Sequence, residues 1–152
     1  MVRVVAALAE RLVMPGPGEP DAGKPRRELF LARRLASLNH GGLWELPGGK
    51  IEEGETPAAA LLRELSEELG IGAELLGPGR HYEALVGGKP FLFIVFPVEF
   101  RSEPLRLDAH EEWRWFRPSD LEGLPLAPLD VPVIADWIDG DSADGGLANG
   151  DD

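Results

Sequence analysis

The stretch Gly49 to Ile71, GKIEEGETPAAALLRELSEELGI, constrains this chain more than any other. Thr56 is a good helix N-cap and Pro57 suits the first helical position, so the sequence predicts a helix from Pro57 to about Leu69 that stops at Gly70. Ala58, Leu61, Leu62, Leu65 and Leu69 recur at helical spacing and define one apolar face. Glu64, Glu67 and Glu68 gather on another, because positions three and four apart are neighbours on a helix surface. Like charges at that spacing oppose a helix by roughly 0.2 to 0.5 kcal/mol. Arg63, four residues before Glu67, is the obvious counter-charge. A solvated acidic face is one reading of such a triplet. A hard divalent cation is the other, since Mg²⁺ prefers oxygen ligands and commonly takes one or two carboxylates together with substrate phosphates.

The spacing of the remaining residues separates the two readings. Five residues lie between Gly49 and Glu55, seven more between Glu55 and Arg63, and Arg63 to Ile71 then reads RELSEELGI without a gap. This pattern resembles the Nudix box, the signature of the Nudix hydrolase family, at every specified position. Leu43 to Lys50, LWELPGGK, is similar to the segment that precedes the box in the MutT-like branch. The resemblance implies an α/β/α fold in which the box forms a loop-helix-loop. It also implies a divalent cation, Mg²⁺ or Mn²⁺, held by Glu64, Glu67 and Glu68, with the Gly48 carbonyl as a further oxygen. Arg63 would orient the carboxylates and Lys50 would meet phosphate. Glu55 would support the site from behind or act as general base, with Glu64 the other candidate for that proton.

The chemistry such residues serve follows from the substrate bond. Phosphoanhydride cleavage needs no covalent nucleophile; it needs a positioned water and neutralised phosphoryl oxygens. Cations held by clustered carboxylates supply both.

Three weaker resemblances point to nucleoside triphosphates. Arg33 and Arg34 are similar to the arginine pair of MutT-like enzymes, whose second member, here Arg34, contacts nucleotide. Trp44 to Lys50 matches their WEFPGGK-type segment, with Leu46 where a Phe is usual. Leu126 to Ile134, LAPLDVPVI, resembles their closing segment, in which the position of Asp130 reads the base. Surface arginines, a core tryptophan and an N-cap aspartate are the structural alternatives. Relatives specialised for 8-oxoguanine can carry Asn where Asp130 stands, and CTP-specific relatives carry Asp. An ionised Asp only accepts hydrogen bonds, which suits cytosine and guanine edges alike. The additional metal-binding acid that the family often places before a His or Gly falls at Ala109, beside His110. Asp108, Glu111 or Glu112 could take its role, and His110 reads as a loop residue or a support for the ligands.

The expected activity is therefore Mg²⁺-dependent hydrolysis of a (deoxy)nucleoside triphosphate, an oxidised one such as 8-oxo-dGTP or a cytidine nucleotide, to the monophosphate and pyrophosphate. One rival is the same chemistry on a nucleotide sugar, ADP-ribose or a dinucleoside polyphosphate. Another is a Nudix-fold module that binds without hydrolysing, and a third is an acidic cation buffer, which leaves the Gly, Arg and Pro positions without a reason.

Composition bounds the partners. A formal charge of −12 argues against a broad nucleic-acid or membrane-binding surface, and a small nucleotide is the expected partner. There is no cysteine, which excludes disulfides, thiolate zinc sites and a cysteine nucleophile. Val4 to Ala9 is too short for a signal segment, so a cytoplasmic protein is expected. Oligomeric state is left open.

The rest of the chain reads as an α/β fold, a mixed curved sheet between helices. Strands are expected over Val2–Val13, Glu28–Arg34, Leu43–Leu46, Ala73–Leu76 and Trp113–Arg117, with a hairpin of Arg80–Val86 and Pro90–Phe100 about Gly87 and Gly88. Pro15 to Pro25 reads as a long loop, Pro47 to Gly49 as a turn, Pro118 to Leu121 as a helical turn and Val131 to Trp137 as a terminal helix. Residues 1–138 form one domain, and the acidic segment 139–152 is expected to be disordered.

Overall fold

The computed structural model describes residues 1–20 and 22–142. Strand β1 (Val2–Val13) is the axis of an eight-stranded mixed sheet. Its first half pairs in parallel with β7 (Lys89–Phe100) and antiparallel with β4 (Gly48–Lys50), and its second half pairs antiparallel with β2 (Arg26–Arg34). Strand β2 in turn takes β3 (Trp44–Glu45) and β8 (His110–Phe116), while β7 takes β5 (Ala73–Leu75) and β6 (Arg80–Val86). The nearly continuous apolar run of β7 fits this central position, covered on both faces.

Alternation along β1 divides the core. Val5, Ala7 and Ala9 face one way, with Phe30 and Ala32 of β2, and pack on Ala60, Leu61, Leu65 and Leu69 of helix α1 (Pro57–Leu69). Ala6 faces the other way with Leu29, Leu31, Phe93 and Val95, and meets Val133, Ile134 and Trp137 of helix α2 (Asp130–Ser142). The result is the expected α/β/α sandwich. Each fully buried leucine in these layers contributes about 1.5 to 3 kcal/mol.

Four expectations are corrected by tertiary packing. Gly48 to Lys50 is a short strand on β1 rather than a turn, because Gly48 lies where a Cβ would collide with the Val5 backbone and only glycine allows that approach. Strand β8 begins at His110 instead of Trp113, extended by pairing with β2 as far as Arg34. Ala60 is buried and Leu62 is exposed, since Leu62 stands about 100° around the helix from Leu61 and looks past the sheet. Helix α2 starts at Asp130 and runs to Ser142, past Trp137 and into the segment expected to be disordered. The remainder of that segment, 143–152, lies outside the described residues.

Candidate active site

Helix α1 has the boundaries its sequence dictates. The Thr56 hydroxyl accepts from the Ala59 amide at 3.1 Å, Pro57 takes the first turn, and Gly70 closes the helix in the left-handed conformation at φ 67°. Its inward face is held by Leu61, Leu65 and Leu69, so the Arg63, Glu64 and Glu67 side chains emerge toward β4 and the loop before the helix, while Glu68 lies near Glu45 and Arg34. Gly49 of β4 passes so close beneath Glu64 that a Cβ there would strike the carboxyl group.

Arg63 organises the cluster. Its guanidinium donates through Nε and Nη2 to the two oxygens of Glu55, at 2.6 and 3.0 Å, a bidentate pair. Nη1 reaches Glu64 at 3.3 Å and Glu67 at 3.1 Å, and Nη2 also donates to the Lys50 carbonyl at 3.2 Å. The Glu55 carboxylate also accepts from the Glu52 amide at 2.9 Å. These bonds, Arg63 first, hold the Glu55 pKa below the usual carboxylate range. Glu64 is shifted the other way, mainly by burial and against the pull of Arg63. Glu68 is pushed up to about 8, first by burial and then by the charges of Glu64 and Glu45.

The donor set fits a hard divalent cation. The candidate ligand atoms are all oxygens, and the buried Oε1 of Glu68 has no hydrogen-bond partner. Burial raises both Glu64 and Glu68, with Glu67 adding to the first and Glu64 and Glu45 to the second, a conflict that a divalent charge would relieve. Among the described residues no three acidic or imidazole groups converge into a ready-made chelate. A cation would have to compete with Arg63 for Glu64 and Glu67.

A cleft of about 210 Å³ opens beside this cluster on the α2 side of the sheet. Arg34, Leu46, Gly48, Lys50 and Asp130 all line it. The structure therefore brings together in one cavity every residue expected to meet substrate, and sets it against the acidic helix face through Gly48 and Gly49. Asp130, 4% exposed, opens α2 at the far end, where its Oδ2 accepts from the Leu46 amide at 2.6 Å. Its pKa is raised well above the usual range by burial and by Glu45, with the Leu46 bond opposing. The Leu46 segment is itself pinned: the Trp44 amide donates to the Pro125 carbonyl and the Ala127 amide to that of Trp44, both at 2.9 Å.

One residue of the cleft region, Glu45, is not apparent from sequence, and a second, His110, is read there only as a loop residue or a support for the ligands. Glu45, another lining residue, accepts on Oε2 from His110 Nε2 at 2.8 Å and from Arg34 Nη1 at 3.4 Å. His110 is not in a loop but on β8, 2% exposed. The alternation of Trp44, Glu45 and Leu46 is the available signal, since an acid between two buried apolar residues of a short strand faces the opposite side. The acids near His110 are engaged elsewhere: Glu111 and Glu112 pair with Arg33 at 2.5 and 2.6 Å. The Asp108 amide donates to the Glu68 carbonyl at 3.1 Å, holding the end of α1.

Comparison with known proteins agrees with this geometry. The NUDIX domain family matches residues 22–137. The chain is 34% identical over 134 residues to a CTP pyrophosphohydrolase of Escherichia coli K12, which covers 88% of this chain and 89% of that protein. It is 54% identical over 109 residues to an 8-oxo-dGTP diphosphatase of the same strain, covering 71% and 84%. The solution structure of the E. coli ORF135 protein superposes with a TM-score of 0.69 at 32% identity, over 91% of this chain and 89% of that one. No helix among the described residues is long and apolar enough to cross a membrane. With a family match over most of its length, an intact acidic helix and these relatives, the chain belongs to the Nudix hydrolase family.

Proposed function

We propose that this Nudix hydrolase cleaves (deoxy)nucleoside triphosphates to monophosphate and pyrophosphate, with a cytidine nucleotide or an oxidised purine such as 8-oxo-dGTP as its substrate. The observation that carries the reading is the cleft that joins Asp130 and Leu46 to Gly48, Gly49 and Lys50, the strand that passes beneath the Glu64 carboxyl of α1. Glu64, Glu67 and Glu68, with the Gly48 carbonyl, would hold Mg²⁺ or Mn²⁺. A bound cation of this kind neutralises phosphoryl oxygens and makes water more acidic.

The chain's own residues do the rest. Lys50, exposed at the mouth of the cleft, attracts the phosphates, and Arg34 lines the wall that the nucleotide would follow. Glu64 is the better of the two candidate bases, because Arg63 holds Glu55 as a low-pKa carboxylate while burial raises Glu64. Glu55 then serves to lock Arg63, and Arg63 to align Glu64 and Glu67. Asp130 and the Leu46 segment would read the base edge. A protonated Asp130 offers a donor beside an acceptor, which pairs with the amide-like edge of guanine or with N3 and N4 of cytosine.

Pyrophosphate and phosphate release from canonical and oxidised (d)NTPs, nucleotide sugars, ADP-ribose and dinucleoside polyphosphates tests the proposal. Pyrophosphate from one triphosphate supports it and names the base. Turnover confined to a sugar or dinucleotide substrate overturns the triphosphate assignment and keeps the metal site.

A further inference from the structure

We infer that His110 is a positioning residue for this cleft, fixing Glu45 and, through Glu45, the Arg34 guanidinium on the cleft wall. The inference rests on the cleft being the nucleotide site and goes beyond it by assigning a role to a buried imidazole that the proposed chemistry does not use.

The strand register places His110 there. Glu112 pairs with Arg33, yet His110 rather than Glu111 pairs with Arg34, so Glu111 is the extra residue of a bulge. Without that bulge Glu111 would stand opposite Arg34 and bring a carboxylate beside Glu45. The bulge turns Glu111 out to Arg33 and delivers a hydrogen-bond donor instead.

The tautomer follows from the partner. A carboxylate only accepts, so the 2.8 Å contact with Glu45 Oε2 puts the hydrogen on Nε2. His110 Nδ1 is buried with no partner, and a hydrogen there would leave an unpaired donor and set two acceptors face to face. The same Glu45 oxygen takes Arg34 Nη1, and Arg34 Nε donates to the Asn39 carbonyl at 2.8 Å. Arg34 is thereby held at two points. A long side chain already fixed loses less freedom when it meets a ligand, which favours binding without a new contact.

The test uses binding of CMP and 8-oxo-dGMP in EDTA, where no turnover intervenes, followed by tryptophan fluorescence. His110→Leu keeps an apolar filling but removes the donor, and it should weaken the tighter of the two nucleotides about tenfold. In Mg²⁺ the same variant should raise KM by a similar factor and change kcat less than about threefold. His110→Gln, whose amide reaches Glu45 as Nε2 does, should restore most of the loss. In an Arg34→Ala background His110→Leu should cost less than about twofold, because the side chain it positions is gone. Wild-type affinity in His110→Leu overturns the inference, as does a loss repeated in full without Arg34. If wild type binds neither nucleotide, the cleft reading itself fails and takes the inference with it. A readout that needs no variant is the nitrogen-15 spectrum of the nucleotide-free protein. It should show His110 as the Nε2–H tautomer, and an Nδ1–H tautomer contradicts the contact with Glu45.

Discussion

At Asp130 burial has a measurable pH signature. Its raised pKa means that the folded chain binds this proton more tightly than the unfolded chain. Below the ordinary Asp value of about 3.9 both states are protonated and the group makes no difference. As pH rises through the raised folded value, the unfolded carboxyl ionises freely and the folded state loses stability. Asp130→Asn removes that loss while its side-chain oxygen can still accept from Leu46. In EDTA, the melting temperature of the variant should therefore gain on wild type between about pH 4 and pH 8. A difference that stays constant with pH contradicts the assignment. Glu67 makes a different prediction, because it is exposed and its carboxylate is bonded only to Arg63 among the described residues. Glu67→Gln should lower kcat at least about 100-fold by weakening cation binding. Its melting temperature in EDTA should match wild type, since a surface ion pair contributes little.

At the scale of elements, α1 and β4 divide the work between holding and approach. Thr56→Ala removes the one side-chain cap of α1 and should cost about 1 kcal/mol in chemical denaturation. Gly49→Ala acts on the site instead: its methyl meets the Glu64 carboxyl, so cation affinity should fall more than stability does. Mn²⁺ titration followed by electron paramagnetic resonance separates the two. Helix α1 is legible from local chemistry alone, because cap, proline, apolar stripe and terminal glycine agree on the same thirteen residues. The acidic face and the arginine are legible by spacing. What cannot be read locally is set by partners distant in sequence. Gly48 to Lys50 is a strand because β1 lies beside it, and β8 starts early because β2 continues opposite. His110 and Glu45 stand 65 residues apart, and neither carries a local sign of the other. The burial of Asp130 likewise depends on the Leu46 segment, which is why an ordinary ionised acceptor is the natural expectation from sequence and a raised pKa the outcome of packing.

In the whole molecule the sheet acts as a partition. One face carries α1 and its carboxylates, the other carries α2 and Asp130, and β4 runs between them, lining the cleft and passing beneath Glu64. Such a layout suits a substrate with an anionic end and a base at the other. On the proposed reading it also separates two properties, cation-assisted cleavage and base selection, so that each could be lost alone. Asp130→Asn should change the order of preference among nucleotides more than the rate on the best one; equal losses on every nucleotide would move base recognition elsewhere. On the proposed function, the acidic face of α1 works with a divalent cation on a triphosphate seated in the cleft. Pyrophosphate release from the preferred triphosphate, measured for wild type in Mg²⁺, wild type in EDTA and Glu67→Gln in Mg²⁺, tests it most directly. Turnover is expected in the first, none in the second and at least about a 100-fold loss in the third. Undiminished turnover in EDTA, or wild-type rates from Glu67→Gln, would contradict it.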